Sequence, residues 1–194
     1  MGGKNIERIP IRTITVGNDL PETRRRFFKL LDSTVRIYSY EENYLRVCLE
    51  IFGEKMLMAF SVFELMETRG GRSLRETGIH VNKSDFLVGG EDYTDLIPLV
   101  VFHEKVELWN AAGKGMYAPW EYPEADEYDE LSHRRSLLAE YTRAIKRGQG
   151  ERHIRFMQKF VWSQPPSPDG TDFLKENLMA YEMAKKRFDQ KNGL

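Results

Sequence analysis

Leu96-Ile97-Pro98-Leu99-Val100-Val101-Phe102-His103-Glu104-Lys105-Val106-Glu107 is the stretch on which the reading of this chain turns. An unbroken apolar run leads into HEKVE. Wound as a helix, positions 96, 99, 100, 103 and 107 fall on one stripe, and that stripe reads Leu, Leu, Val, His, Glu. The core-facing side of the helix therefore ends in an imidazole and a carboxylate one turn apart. A carboxylate withdrawn from water without a partner costs several kcal/mol or takes up a proton. A metal ion removes the difficulty economically, because His and Glu at i and i+4 can point at one position in space.

Outward from this helix the chain divides into two kinds of segment. Before it, 9–16, 34–40, 44–52 and 56–63 read as strands, with 56–63 open to a helical alternative, and 78–82 and 85–88 read as two short edges of the same sheet. Gly53-Glu54-Lys55 reads as a hairpin turn, and Pro21 opens a helix carrying Arg24, Arg25 and Arg26 ahead of Phe27 and Phe28. Asp92, Thr94 or Asp95 can cap the HEKVE helix, with Pro98 tolerated in its first turn. After it, helices are expected at about 126–147, 151–162 and 171–191, separated by a Gly- and aromatic-rich loop at 113–125 and a Pro-rich connector at 163–170. Strands first and helices after argue an α+β fold, a mostly antiparallel sheet with one or two helices followed by a helical half. Residues 1–163 are expected to form the α+β domain, and 164–194 a connector and a helix packed on it or extending from it.

Composition narrows the function classes. A net charge of −1 over 194 residues offers no global field for nucleic acid or an anionic membrane. No apolar run approaches the roughly 20 residues that span a bilayer. The single cysteine, Cys48, removes an internal disulfide and a cysteine-based zinc site from consideration. With no signal-peptide core at the N-terminus, the chain reads as cytoplasmic. Glycine-rich phosphate loops and Gly-x-Ser-x-Gly elbows are missing from the sequence.

The helix after the loop carries the second half of the constellation. His133 and Glu140, seven residues apart, share a face bordered by Leu137 and Ala144. Helices joined by a moderately short loop usually pack as antiparallel neighbours, so His103, Glu107, His133 and Glu140 are expected to converge. Two imidazoles and two carboxylates suit one divalent ion, zinc first, manganese or iron otherwise. Of the remaining histidines, His80 is read as a substrate contact or a satisfied strand residue, and His153, beside Arg152 and Arg155, as exposed. Lys105 is expected to point away from the stripe into solvent.

His103-Glu104-x-x-Glu107 resembles the HExxH helix of the zincin metallopeptidases, with Glu107 where that family has its second histidine. The resemblance spans about 78–142. It implies that His103 is a ligand, that Glu104 activates a water, that Glu140 or His133 is the ligand from a later helix, and that 78–82 is the edge strand lining a substrate cleft. The expected function is then a metal-dependent hydrolase acting on a peptide or amide bond of a peptide or protein substrate. The alternative is a non-catalytic binding protein in which the His/Glu cluster is a structural metal site or a buried polar network. In that alternative the aromatic loop 115–123 (Met116, Tyr117, Trp120, Tyr122) and the C-terminal helix would meet a protein partner.

Overall fold

All the described strands precede the helical half, in keeping with an α+β fold, and element boundaries follow local chemistry. The structure is a computed structural model that describes residues 21–56, 58–68, 71–114, 125–164 and 168–193. The strand expected at 9–16 and the aromatic loop 115–123 lie outside the described residues. Helix α1 (Pro21–Asp32) starts on the proline that favours a first helical turn. Strand β1 (Val35–Tyr38) follows, then α2 (Glu41–Phe52), β2 (Ala59–Thr68) and β3 (Gly71–Asn82). Strands β4 (Leu87–Val88) and β5 (Glu91–Asp92) form a separate two-stranded hairpin.

Residues 44–52 form a helix, not the strand expected from their β-rich composition. Tyr44 and Cys48 are buried one turn apart, with Val47 and Phe52 half-buried beside them, while Leu49 and Ile51 are exposed. The pattern thus has a helical period that the dense apolar run obscured. Glu41 and Glu42 sit in the first turn, where the helix dipole favours acids. Gly53 ends the helix with φ 78°, and its N–H donates to Leu49 O. That left-handed cap, rather than a hairpin turn, is why a glycine stands there.

The main sheet has the order β1-β3-β2. β3 pairs antiparallel with β2 and parallel with β1, Val35 opposite Ile79 and Tyr38 opposite Asn82. Residues 78–82 are therefore central, not an edge lining a cleft, and 85–88 belongs to a 3-10 turn and the separate hairpin.

The helical half comprises α3 (Ile97–Lys114), α4 (Ala125–Lys146), α5 (Gly150–Ser163) and α6 (Pro168–Asn192). At the start of the 3-10 turn that precedes α3, Asp92 accepts from the Thr94 N–H at 2.8 Å and the Thr94 hydroxyl at 2.7 Å. Arg152 of α5 donates to Asp95 at 2.9 Å and to Asp92 O at 2.6 Å, tying α5 to the start of α3. One apolar core joins Phe27 and Leu31 of α1, Ile79 and Val81 of β3, Leu99 and Val100 of α3, Leu137 and Ala144 of α4, and Phe156 and Phe160 of α5. Helix α6 contributes Ala180 and Ala184 to that core, and its Asn177 accepts from the buried Tyr141 hydroxyl at 2.9 Å.

Gly150 shows how closely these helices approach. A methyl group placed on it would come 2.7 Å from Ile145 Cγ1 and 3.3 Å from Tyr181 Cε2. Gly150→Ala is expected to destabilise the fold by about 1–3 kcal/mol through overpacking, read as a lower urea midpoint. An unchanged midpoint would mean that α4, α5 and α6 do not meet so tightly.

Candidate metal centre

The apolar register of α3 and α4 brings three of the expected residues to one place. Leu99 and Val100 set the buried side of α3, and His103 follows on it with 6% of its surface exposed. Leu137 and Ala144 set the buried side of α4, and His133 enters from that helix one turn before Leu137. His103 Nε2 lies 2.9 Å from Glu107 Oε1 and 3.2 Å from His133 Nδ1, and the last two atoms are 2.9 Å apart. The three donors form a nearly equilateral triangle. A cation at ~2.1 Å from each of three nitrogen and oxygen ligands spaces them by about 3 Å at octahedral angles and about 3.4 Å at tetrahedral ones. His103, Glu107 and His133 could therefore hold one metal ion.

Glu140 stands elsewhere. It is 1% exposed and lies behind His103, its Oε2 accepting from Nδ1 at 3.0 Å, on the ring edge remote from the triangle. It does not join the three-atom group and instead orients the ring that does. Its other oxygen, Oε1, accepts from His153 Nε2 at 2.8 Å. His153, expected at the surface, is fully buried. The arginines beside it in sequence hid its position. Its helical neighbours show it: Gly150, His153, Ile154, Met157 and Phe160 make the buried stripe of α5. The remote nitrogen, His153 Nδ1, is buried and has no hydrogen-bond partner among the described residues.

Lys105 also departs from expectation. It is buried and forms an ion pair with Asp32 of α1. Arg134 approaches Glu176 of α6 at 3.4 Å, and Glu176 Oε2 is 4.0 Å from His133 Nε2. His80 is a satisfied strand residue in its surroundings. It stacks on Phe60 at 4.7 Å and on Tyr38 at 5.8 Å, and its Nδ1 is 2.9 Å from the Tyr38 hydroxyl. Burial, reinforced by Arg36, lowers its pKa to about 4.

The electrostatics of the cluster follow from opposed forces. Burial disfavours the His103 imidazolium, but the charge and hydrogen bond of Glu107 and those of Glu140 outweigh it and hold the pKa well above the ordinary value. Burial likewise disfavours ionised Glu107 and Glu140. His103 and His133 overcome it for Glu107, and His153 and His103 overcome it for Glu140, so both carboxyls are acidic. Without a cation the cluster is thus an imidazolium between two carboxylates. Glu104 behaves oppositely. It is buried against β2, hydrogen-bonded to Ser61, and burial together with the Glu107 charge pushes its pKa up to about 8.

Comparison with known proteins returns no match to any family model, curated protein or solved structure. Among the described residues no helix is long and apolar enough to cross a membrane.

The metal-free protein should carry a distinctive pH profile. His103 has a raised folded pKa, so its contribution is complete below its unfolded value of about 6.5 and is lost as pH rises through the folded value. Glu104 acts in the same sense, its contribution being complete below about 4.3 and lost towards pH 8. Glu107 and Glu140 have lowered folded values, so theirs is present above about 4.3 and lost as pH falls. His80, lowered to about 4, gains stability as pH rises to about 6.5 and offsets Glu104 over that window. Urea midpoints in the presence of a chelator should therefore rise to about pH 4.5, hold to about 6.5 and fall above it. A midpoint that climbed steadily to pH 8.5 would contradict this charge assignment.

Proposed function

We propose that the protein is a zincin-like, metal-dependent hydrolase that acts on a peptide or amide bond. One divalent ion would be held by His103 Nε2, Glu107 Oε1 and His133 Nδ1. The observation that carries the reading is the triangle of those three donors, with edges of 2.9–3.2 Å. Two ligands one turn apart on one helix and a third from the next helix match the arrangement that the HExxH resemblance implies, with the glutamate and the second histidine exchanging places. Zinc, manganese and iron all accept two imidazoles and a carboxylate, and zinc is the first choice for hydrolysis.

When bound, such an ion supplies Lewis acidity and makes a water more acidic. The chain's own residues do the rest. Glu140 fixes the His103 ring and keeps a proton on Nδ1, which leaves Nε2 free to coordinate. Glu104 is the candidate proton carrier, because a carboxyl with a pKa near neutrality can both accept and return a proton at working pH. A nearby cation would lower that pKa and favour the carboxylate form needed to accept one. The lone, buried Cys48 suits a cytoplasmic setting.

A second reading has an observation of its own. His103 is bonded on both ring nitrogens to carboxylates, which satisfies these buried groups with protons alone. The protein would then be a binding module whose helices are joined by a polar network.

Elemental analysis of protein purified without added metal separates the two. The hydrolase reading expects about one equivalent of zinc, manganese or iron, lost in a His103→Ala, Glu107→Ala double variant. No metal in either protein, even after reconstitution, would leave the binding-module reading standing.

Because an ion must displace a proton from His103, its apparent affinity should rise with pH. With metal bound, Glu104→Gln should retain the ion and lose at least about a hundredfold in peptide-hydrolysis rate. Undiminished turnover in that variant would remove Glu104 from the mechanism.

A further inference from the structure

Arg24 and Arg25 of α1 border a cavity that the metal site does not use. The cavity has a volume of about 790 Å³ and lies between α1, β1, α3 and α4. Lys105 faces it from α3. Two residues along a helix turn through about 200°, so Lys105 projects from the side of α3 opposite His103.

Five cations line the cavity, Arg24, Arg25, Lys29, Lys105 and Arg143, against one acid, Asp32. Taking these lining groups as charged, five minus one leaves four positive charges. Lys105 is answered by its ion pair with Asp32. Arg143 is not answered in the same way. Its guanidinium lies 4.4 Å over the Phe102 ring, and its Nε is buried with no hydrogen-bond partner among the described residues. Burial and the nearby Arg147 lower its pKa, outweighing the opposing charge of Asp32. Arg24 lies 5.2 Å over the Phe28 ring, and the Phe28 and Phe102 rings meet edge to face at 5.8 Å. The result is an aromatic floor with guanidinium groups on it and a positive rim.

We propose that this cavity binds an organic phosphate monoester, its phosphate held by Arg143, Arg25 and Lys29 and its apolar group resting on Phe28 and Phe102. Three cations from two separate helices around one space suit a compact dianion better than a singly charged carboxylate. Guanidinium groups supply the forked donors that phosphate oxygens accept. The volume falls in the range of small-molecule sites, and an apolar floor with a few converging polar groups is their usual construction. The proposal is independent of the metal centre, since it involves no residue of the donor triangle or of the groups bonded to it.

The test is isothermal titration of the full chain with phenyl phosphate, with inorganic phosphate and benzoate as comparison probes. Phenyl phosphate should bind more tightly than either, and more weakly as salt is raised. Arg143→Met should lose about tenfold or more in affinity, the value of a charge-assisted hydrogen bond. Arg25→Glu, at an exposed position, should weaken binding while leaving the circular dichroism spectrum and the melting temperature close to wild type. Absence of binding, equal binding of inorganic phosphate or benzoate, or unchanged affinity in Arg25→Glu would each overturn the proposal.

Discussion

The His103 ring, gripped at both nitrogens, is the constraint around which the helical half is arranged. Glu140 of α4 takes Nδ1 and Glu107 of α3 takes Nε2. Through Glu140 the same chain of bonds reaches His153 on α5. Three helices are thus joined by polar contacts at a depth where apolar packing alone would leave their rotation less determined. Each partner is costly to bury singly and tolerable only in company, since a buried charge that loses its partner costs about 3–5 kcal/mol. The apolar residues that flank the network, Leu99, Val100, Leu137 and Phe156, keep water from competing for those bonds.

How much of this could be read in advance depended on what each residue's neighbours concealed. His103, Glu107 and His133 were legible because they extend apolar stripes of helical period, so that their chemistry stands out against the background. Glu140 lay on the same stripe as His133, and nothing in the spacing said which side of His103 it would take; that depends on how far α4 slides along α3. His153 was hidden by Arg152 and Arg155. Those two point outward, Arg152 to Asp95, while the stripe through Ile154 and Met157 points in. Lys105 was misplaced for a related reason. A lysine that points away from the apolar stripe reads as solvated, and only the approach of α1 brings Asp32 to it.

The sheet was legible in class and not in arrangement. The segments 34–40 and 56–63 do contribute strands, but 44–52 is a helix because burial selects Tyr44 and Cys48 and leaves Leu49 and Ile51 in water. A run apolar at nearly every position fits either period, and the choice is made by what packs on it, here Phe60 of β2. Strand order is more remote still from local sequence. β3 lies between β1 and β2 because the β2–β3 hairpin presents its second strand to β1 in parallel register. The edge strand inferred for 78–82 by resemblance therefore lies in the middle.

The difference between a proton-filled and a cation-filled cluster bears on the exchanged ligand at position 107. A carboxylate added to a set already containing a second carboxylate would leave a divalent ion formally neutral and weaken its hold on a water's proton. The geometry supports a milder outcome. With Glu140 behind His103, a ligand set drawn from the triangle would be two histidines and one glutamate, a composition that catalytic zinc sites use. The net charge at the ion would then be what that chemistry tolerates, although the glutamate comes from the first helix instead of a later one. The outer carboxylate would make Nε2 a stronger donor without adding its charge directly to an ion's ligands. With an ion in the triangle, Glu107 would be compatible with water activation, and the placement of Glu140, more than the identity of residue 107, would govern how acidic that water became.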